Sequence, residues 1–312
     1  MKLTFKNDTF KILQIADTQE GLKVSLDTLA LINAALDREE PDLVVYSGDQ
    51  IWGRGFHGDV NQVRRVLKEL TAPVVERHLP FAICFGNHDR QGGLDNRAQF
   101  EIYKEIPGFI GEDTPGVDGV GNCVLEIADG DRPGYLLYLI DSHSSLKVGY
   151  DHVHQNQIDW YRGVRDSYEK QYGHTIPSVV IQHIPVCEVF DLLTQVKKST
   201  KGAVQGFRTH AKEWFVLNRK RVNKEGFMKE SPADPQENSG EFDAFCEKGE
   251  VKGLYFGHDH NNATVTFAAL MWATPRVPGS MCTARDWIEA CAPLRCTGTA
   301  ACPPKTCATG TW

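Results

Sequence analysis

Five short apolar runs in this chain each end in side chains that can bind a metal, and this pattern constrains the fold more than any other feature. Run 12–16 is followed by Asp17, and run 43–47 leads into Gly48-Asp49. Run 81–85 precedes Gly86-Asn87-His88-Asp89, run 179–181 precedes His183, and run 253–256 precedes Gly257-His258-Asp259-His260. Short runs rich in β-branched residues read as buried strands. In α/β sheets, ligands gather beyond the carboxyl ends of such strands. Taken singly, each terminal residue is an ordinary turn or cap: Asp after a strand, Gly-Asn in a turn, a solvated His. Taken in order, they form a mixed nitrogen and oxygen set suited to two borderline-hard divalent ions.

Between these runs lie amphipathic stretches at 22–38, 60–76, 96–105, 155–171 and 241–248, bounded by Gly, Pro, Asp or Asn, which read as helices. Two further runs, 123–127 and 136–140, read as strands. The alternation predicts an α/β domain over residues 1–262, with 197–240 as a polar excursion from the core. No apolar run reaches membrane-spanning length, and the start lacks the apolar region of a secretory signal, so a cytoplasmic protein with no membrane association is expected. A net charge of −7 argues against general nucleic-acid binding. The nine cysteines are odd in number, and those of the tail fit no zinc-knuckle spacing, which argues against a disulfide framework.

These ordered motifs resemble those of the calcineurin-like metallophosphoesterase superfamily over about residues 11–260. Within it, the segments around Asp17, Asp141-Ser142 and 253–260 resemble a bacterial branch related to purple-acid-phosphatase-like proteins. The resemblance implies a four-layer α/β/β/α sandwich and a metal-dependent phosphoester hydrolase, a phosphatase or phosphodiesterase. It also implies two divalent ions (Mn, Fe, Zn or Mg) that supply a bound hydroxide to attack a phosphorylated small-molecule or protein substrate. Asp17, Asp49 and His260 would hold one ion, and Asp49, Asn87, His183 and His258 the other, with Asp49 bridging. His88 matches the position that contacts the phosphate and protonates the leaving oxygen, with Asp89 orienting it or capping the turn.

Two departures stand out. The family has Asp-x-His at its first motif, where this chain has Asp17-Thr18-Gln19, so an amide stands in for an imidazole and the first ion is expected to bind loosely, to exchange readily, or to be manganese or magnesium in preference to zinc. Glu20, a possible substitute, reads as an exposed carboxylate before the first helix. Purple acid phosphatases place a Tyr three residues after the bridging Asp; here that residue is Trp52, so no purple chromophore is expected. Arg54 and His57 leave Asp49 on a loop and are in reach of a substrate phosphate or form plain surface, and His143, His152 and His154 either line the entrance or are solvated. The rival reading is a catalytically silent phosphate- or metal-binding protein with a degenerate site.

Residues 263–312 change character abruptly, with ten Ala, nine Thr, five Pro and five Cys but only six charged residues. Reading this tail one base out of frame permits a Gly- and Arg-rich closing segment of the kind expected in this branch after Gly-His-x-His. We therefore read 263–312 as a frameshifted, poorly ordered tail. The strands completing the second sheet should then be disrupted, leaving an exposed edge and a loosened 258–260 loop. A third reading, a zinc-binding or redox tail module built on the clustered cysteines, is the weakest of the three.

Overall fold

The computed structural model describes residues 2–6, 9–53, 55–222, 226–262, 265–267, 270–273 and 293–297. Three parallel strands, β2 (Thr9–Ile15), β3 (Leu43–Ser47) and β4 (Phe81–Cys84), form one sheet, while the two-residue β1 (Leu3–Thr4) pairs at the edge of the other. The second sheet is built on β5 (Cys123–Asp129), β6 (Arg132–Leu139), β7 (Ser178–Ile181) and a later strand, Val251–Tyr255. Helices α1 (Leu26–Glu39), α2 (Val60–Glu76) and α3 (Asn96–Lys104) cover the first sheet; α4 (Gln155–Tyr172) and α5 (Glu241–Cys246) cover the second.

The layering follows from the two-residue period of the strands. Leu13, Ile15, Val44, Tyr46, Phe81 and Ile83 face α1–α3, whereas Phe10, Ile12, Leu43, Val45, Ala82 and Cys84 face the other sheet. On that sheet Leu137, Leu139, Val179 and Ile181 point inward to meet them, and Leu136, Tyr138 and Val180 point outward onto α4 and α5. Three apolar cores thus separate four layers, helix, sheet, sheet, helix, as expected. Helix starts follow the capping residues in the sequence: Ser25, Asp59 and Asp95 each accept backbone N–H bonds at the first turns of α1, α2 and α3.

The excursion 197–240 is not purely peripheral. Three short strands, β8 (Leu193–Gln195), β9 (Val204–Gln205) and β10 (Trp214–Leu217), pair antiparallel in the order β8-β10-β9. Phe215, Leu217 and Val222 join the core beneath α4 and α5. β8 and β9 are too short to be read as strands from sequence, whereas the apolar run Trp214–Leu217 carried a strand signal that was missed.

Val251–Tyr255, here β11, does not end the second sheet. The backbone of β13 (Leu270–Ala273) pairs parallel beside it and β12 (Val265–Phe267) antiparallel beyond, while β14 (Pro293–Thr297) pairs with β2. The bare edge expected at β11 is therefore covered, by runs of apolar and β-branched residues that suit strands despite the aberrant composition around them. The rest of the tail lies outside the described residues. The 258–260 loop is also tied down rather than loosened. Asp259 accepts from Ala233 N at 3.1 Å, and Asn261 N donates to Glu230 at 2.6 Å. These anchors precede the tail, so the loop does not depend on it.

Cys84, Cys123 and Cys187 are free thiols, and no described helix is long and apolar enough to cross a membrane. Glu241 is buried, with one carboxyl oxygen lacking a hydrogen-bond partner, and burial pushes its pKa up to about 8. The folded chain then holds a proton that the unfolded chain loses above its ordinary pKa, so this residue lowers stability as pH rises from about 4.5 to 8. Glu241→Gln should raise stability at pH 8 by a few kcal/mol, order ~3, with the gain vanishing toward pH 4.5. Urea midpoints at the two pH values check this, and a gain equal at both would show that Glu241 is ionised when folded.

Candidate metal centre

The ends of β2, β3, β4, β7 and β11 bring Asp17, Asp49, Asn87, His183 and His258 to one place between the sheets. The backbone there is unusual. Asp17, Gln19, Asp49 and His258 have φ of 55°, 46°, 54° and 75°, left-handed conformations that cost a non-glycine residue about 1–2 kcal/mol each. The glycines beside them serve close approach. A Cβ on Gly48, itself at φ 103°, would lie 2.3 Å from His183 Nδ1, and one on Gly86 would lie 2.2 Å from Asp49 Oδ1.

Asp49, fully buried, occupies the middle. His183 Nε2 lies 3.3 Å from Asp49 Oδ2 and 3.2 Å from Asn87 Oδ1, and 3.9 Å from Asp17 Oδ1. His183 Nδ1–H donates to Ser47 O at 3.0 Å, which leaves Nε2 as the ligating nitrogen. Nitrogen or oxygen atoms of Asp49, His183 and His258 all lie within 4.8 Å of one another. On the other side, His260 Nε2 is 3.5 Å from Asp17 Oδ1, and the Asp17 carboxylate accepts His258 N at 3.0 Å. Gln19 stands between the two groups, with its amide nitrogen 3.4 Å from both Asp49 Oδ2 and His260 Nε2. All seven residues expected as ligands are thus brought together.

The charges explain what this pocket wants. Burial alone would raise Asp49, but the imidazoles of His183 and His88 overcome it and hold the carboxyl well below its ordinary value. Burial likewise pulls His183 down, yet the Asp49 and Asp17 carboxylates push it up to about 10. Burial, with His183 beside it, holds His258 far below the usual imidazole range, and His258 Nε2 is buried with no hydrogen-bond partner. A bare buried nitrogen beside two carboxylates and an amide oxygen fits a divalent cation, which satisfies the orphan and neutralises the carboxylates together.

His88 and Asp89 play different parts. His88 N donates to Asp49 Oδ1 at 2.7 Å, and its ring lies with Nε2 3.9 Å from Asp49 Oδ2. Of the two roles expected of Asp89, orienting the His88 ring or capping the turn, the structure has the second. Asp89 accepts from Gly86 N, Asp49 N and Ile51 N at 2.7, 2.9 and 3.1 Å, so it fixes the turns that carry the ligands. Burial and the Asp49 carboxylate push its pKa up to about 7. The ring is oriented by Gln91, whose Oε1 meets His88 Nδ1 at 2.9 Å, with Trp52 edge-on at 5.9 Å. Gln91 was missed, although its i+3 spacing from His88 in a turn was the available signal. Glu20 is buried rather than exposed, and accepts Ser25 N at 2.8 Å ahead of α1.

A cleft of about 430 Å³ opens over Asp49, His88, His258 and His260, walled by Tyr150, Phe207 and Lys229. The excursion therefore supplies one wall. His57 is exposed and does not line this cleft, and neither do His143, His152 or His154; Arg54 lies outside the described residues.

Comparison with known proteins agrees with this geometry. The family model described as calcineurin-like phosphoesterase matches residues 10–262. A protein of Arabidopsis thaliana described as probable inactive purple acid phosphatase 14 is 28% identical over 303 aligned positions, covering 84% of this chain and 68% of that protein. Phosphatase DCR2 of Saccharomyces cerevisiae is 29% identical over 281 positions, covering 81% of this chain but only 44% of its own length. Among solved structures, a dimetal phosphatase from Danio rerio superposes with a TM-score of 0.55 at 14% identity, covering 86% of this chain and 87% of that one, a likeness of fold. The chain belongs to the calcineurin-like phosphoesterase family.

Proposed function

We propose that this chain hydrolyses phosphoesters with two divalent ions bridged by Asp49. The observation that carries the reading is the position of Asp49, flanked by Asn87, His183 and His258 on one side and by Asp17, Gln19 and His260 on the other. When bound, such ions lower the pKa of a coordinated water and offset the charge on a phosphoryl group. His88, on the cleft floor and held by Gln91, is placed to touch the phosphoryl oxygens and to protonate the leaving oxygen from Nε2. His88→Ala should retain metal while kcat falls by about 10²–10⁴. Metal loss in that variant would assign His88 to the ligand set instead.

Gln19 bears on the metal. Its amide reaches both Asp49 and His260, so a half-turn of the amide presents an oxygen to an ion there, a hard donor that suits manganese or magnesium. Gln19→His should tighten that ion by at least about tenfold and shift preference toward zinc. Unchanged affinity by equilibrium dialysis would remove Gln19 from the ligand set. The cleft volume suits a small molecule or a phosphorylated side chain of a protein, and the net charge of −7 weighs against polyanionic nucleic acid. The free thiols of Cys84, Cys123 and Cys187 accord with a cytoplasmic location.

The deciding experiment is hydrolysis of p-nitrophenyl phosphate and bis-p-nitrophenyl phosphate after chelation, with each of Mn, Fe, Zn and Mg added back. Metal-restored turnover supports the reading, and the substrate ratio separates monoesterase from diesterase. The second reading, a silent phosphate- or metal-binding protein, is favoured by Gln19 and by the description of the Arabidopsis relative as probably inactive. Metal uptake with no turnover under any condition would establish it.

A further inference from the structure

A second cluster of metal-competent groups lies outside the centre and its cleft, where the loop after β6 meets the start of α4. We propose that His143, Asp151 and His154 form a separate site for a single borderline divalent cation of the zinc type. Their ligating atoms lie within 4.8 Å of one another. The protonation of His143 follows from its neighbour. Gln157 donates its amide N–H groups to Asn122 Oδ1 and Asp141 O, at 3.0 and 2.7 Å, so its oxygen is the acceptor. That oxygen takes His143 Nε2–H at 2.8 Å and leaves Nδ1 of His143 bare. His154 Nδ1 donates to the Asp118 carboxylate at 2.8 Å, so in the neutral ring Nε2 carries the lone pair. Nε2 faces Asp151 Oδ1 at 3.4 Å. The separation is long for a hydrogen bond and equals the spacing of two ligands held tetrahedrally about 2.1 Å from one ion. His152 Nδ1, buried and without a hydrogen-bond partner, lies 3.5 Å from the same oxygen. Each imidazole already has a carboxylate or carboxamide behind it, as metal-binding histidines do.

The position gives such an ion a structural task. Between its ligands runs the loop in which Ser144 donates to Asn87 O at 3.1 Å and Tyr150 packs edge-on against His258 at 4.4 Å. One ion would close this loop on itself and steady two contacts to the centre without touching substrate. The bland competitor is a charged His154 held between Asp118 and Asp151 with no metal. To separate them, the full-length chain is equilibrated with zinc, or with cobalt as a spectroscopic stand-in, and metal is counted with Asp49→Asn in the background to remove the main centre. About one equivalent with tetrahedral cobalt bands is expected to remain, and to be lost or weakened more than about tenfold on adding the near-isosteric His143→Gln or Asp151→Asn. No residual metal and no such bands in the Asp49→Asn chain would overturn the proposal. So would residual metal unaffected by either added change. The readout is independent of turnover, so the site stands or falls separately from the hydrolase reading.

Discussion

Asp49→Asn is expected to stop phosphoester hydrolysis and to empty the main centre while leaving the fold intact. The residue sits between both halves of the ligand set and is fully buried. An amide whose oxygen keeps the His88 N–H turns an NH2 group to where Oδ2 faced both halves, and the change removes the negative charge that balances two dications. Losing several kcal/mol of transition-state stabilisation, at about 1.4 kcal/mol per tenfold, lowers turnover by at least about 10³. The asparagine oxygen still accepts the His88 backbone N–H, whose bond to Asp49 is 2.7 Å, so the turn should persist. Metal counted in a His143→Gln background should fall to background levels. Retention of one ion at the main centre would show that Asp49 binds terminally and does not bridge.

The second large effect concerns stability. Gly48→Ala would place a methyl 2.3 Å from His183 Nδ1 at a residue with φ of 103°. Overpacking costs about 1–3 kcal/mol and the backbone about 1 more, so a loss near 3 kcal/mol in denaturant unfolding is expected, along with displaced His183 and weakened metal binding. Gly163, within α4, is the contrasting control: no atom lies within 4 Å of an added Cβ there, and Gly163→Ala should stabilise by about 0.5–1 kcal/mol. Equal effects from the two changes would mean that the approach of Gly48 to His183 is not a constraint.

Much of this architecture was readable beforehand because its signals are local. Runs such as Leu43–Ser47 and helix Val60–Glu76 carry apolar periodicity and capping residues within a few positions, and both were placed with the observed bounds. The ligands were readable because each follows a strand directly. What escaped depends on contacts distant in sequence. The burial of Glu20 requires the β3 turn to pack over it, and the Asp89 bonds to Asp49 and Ile51 span about forty residues. In the small sheet β8-β10-β9 the outer strands are only three and two residues long and are set by pairing with β10, so their own residues carry little strand signal. The pairing of β13 with β11 joins a segment whose composition pointed the other way.

Asp17, Asp49 and Asn87 hang from one sheet, His183, His258 and His260 from the other, and the seam between the sheets is mostly apolar, crossed by Gln14 to Phe256 O, by Cys84 Sγ to Ile181 O and, at the centre, by His183 to Ser47 O and His258 N to Asp17. Ions bound as proposed would therefore rivet the seam, because they favour only the closed arrangement of the two sheets. Competence and cohesion would then rise together. A chain starved of metal would lose the proposed activity and also be easier to prise apart, which exposes it to proteolysis in proportion to the fraction that opens. Turnover of the protein itself would discriminate between loaded and empty copies without any dedicated sensor.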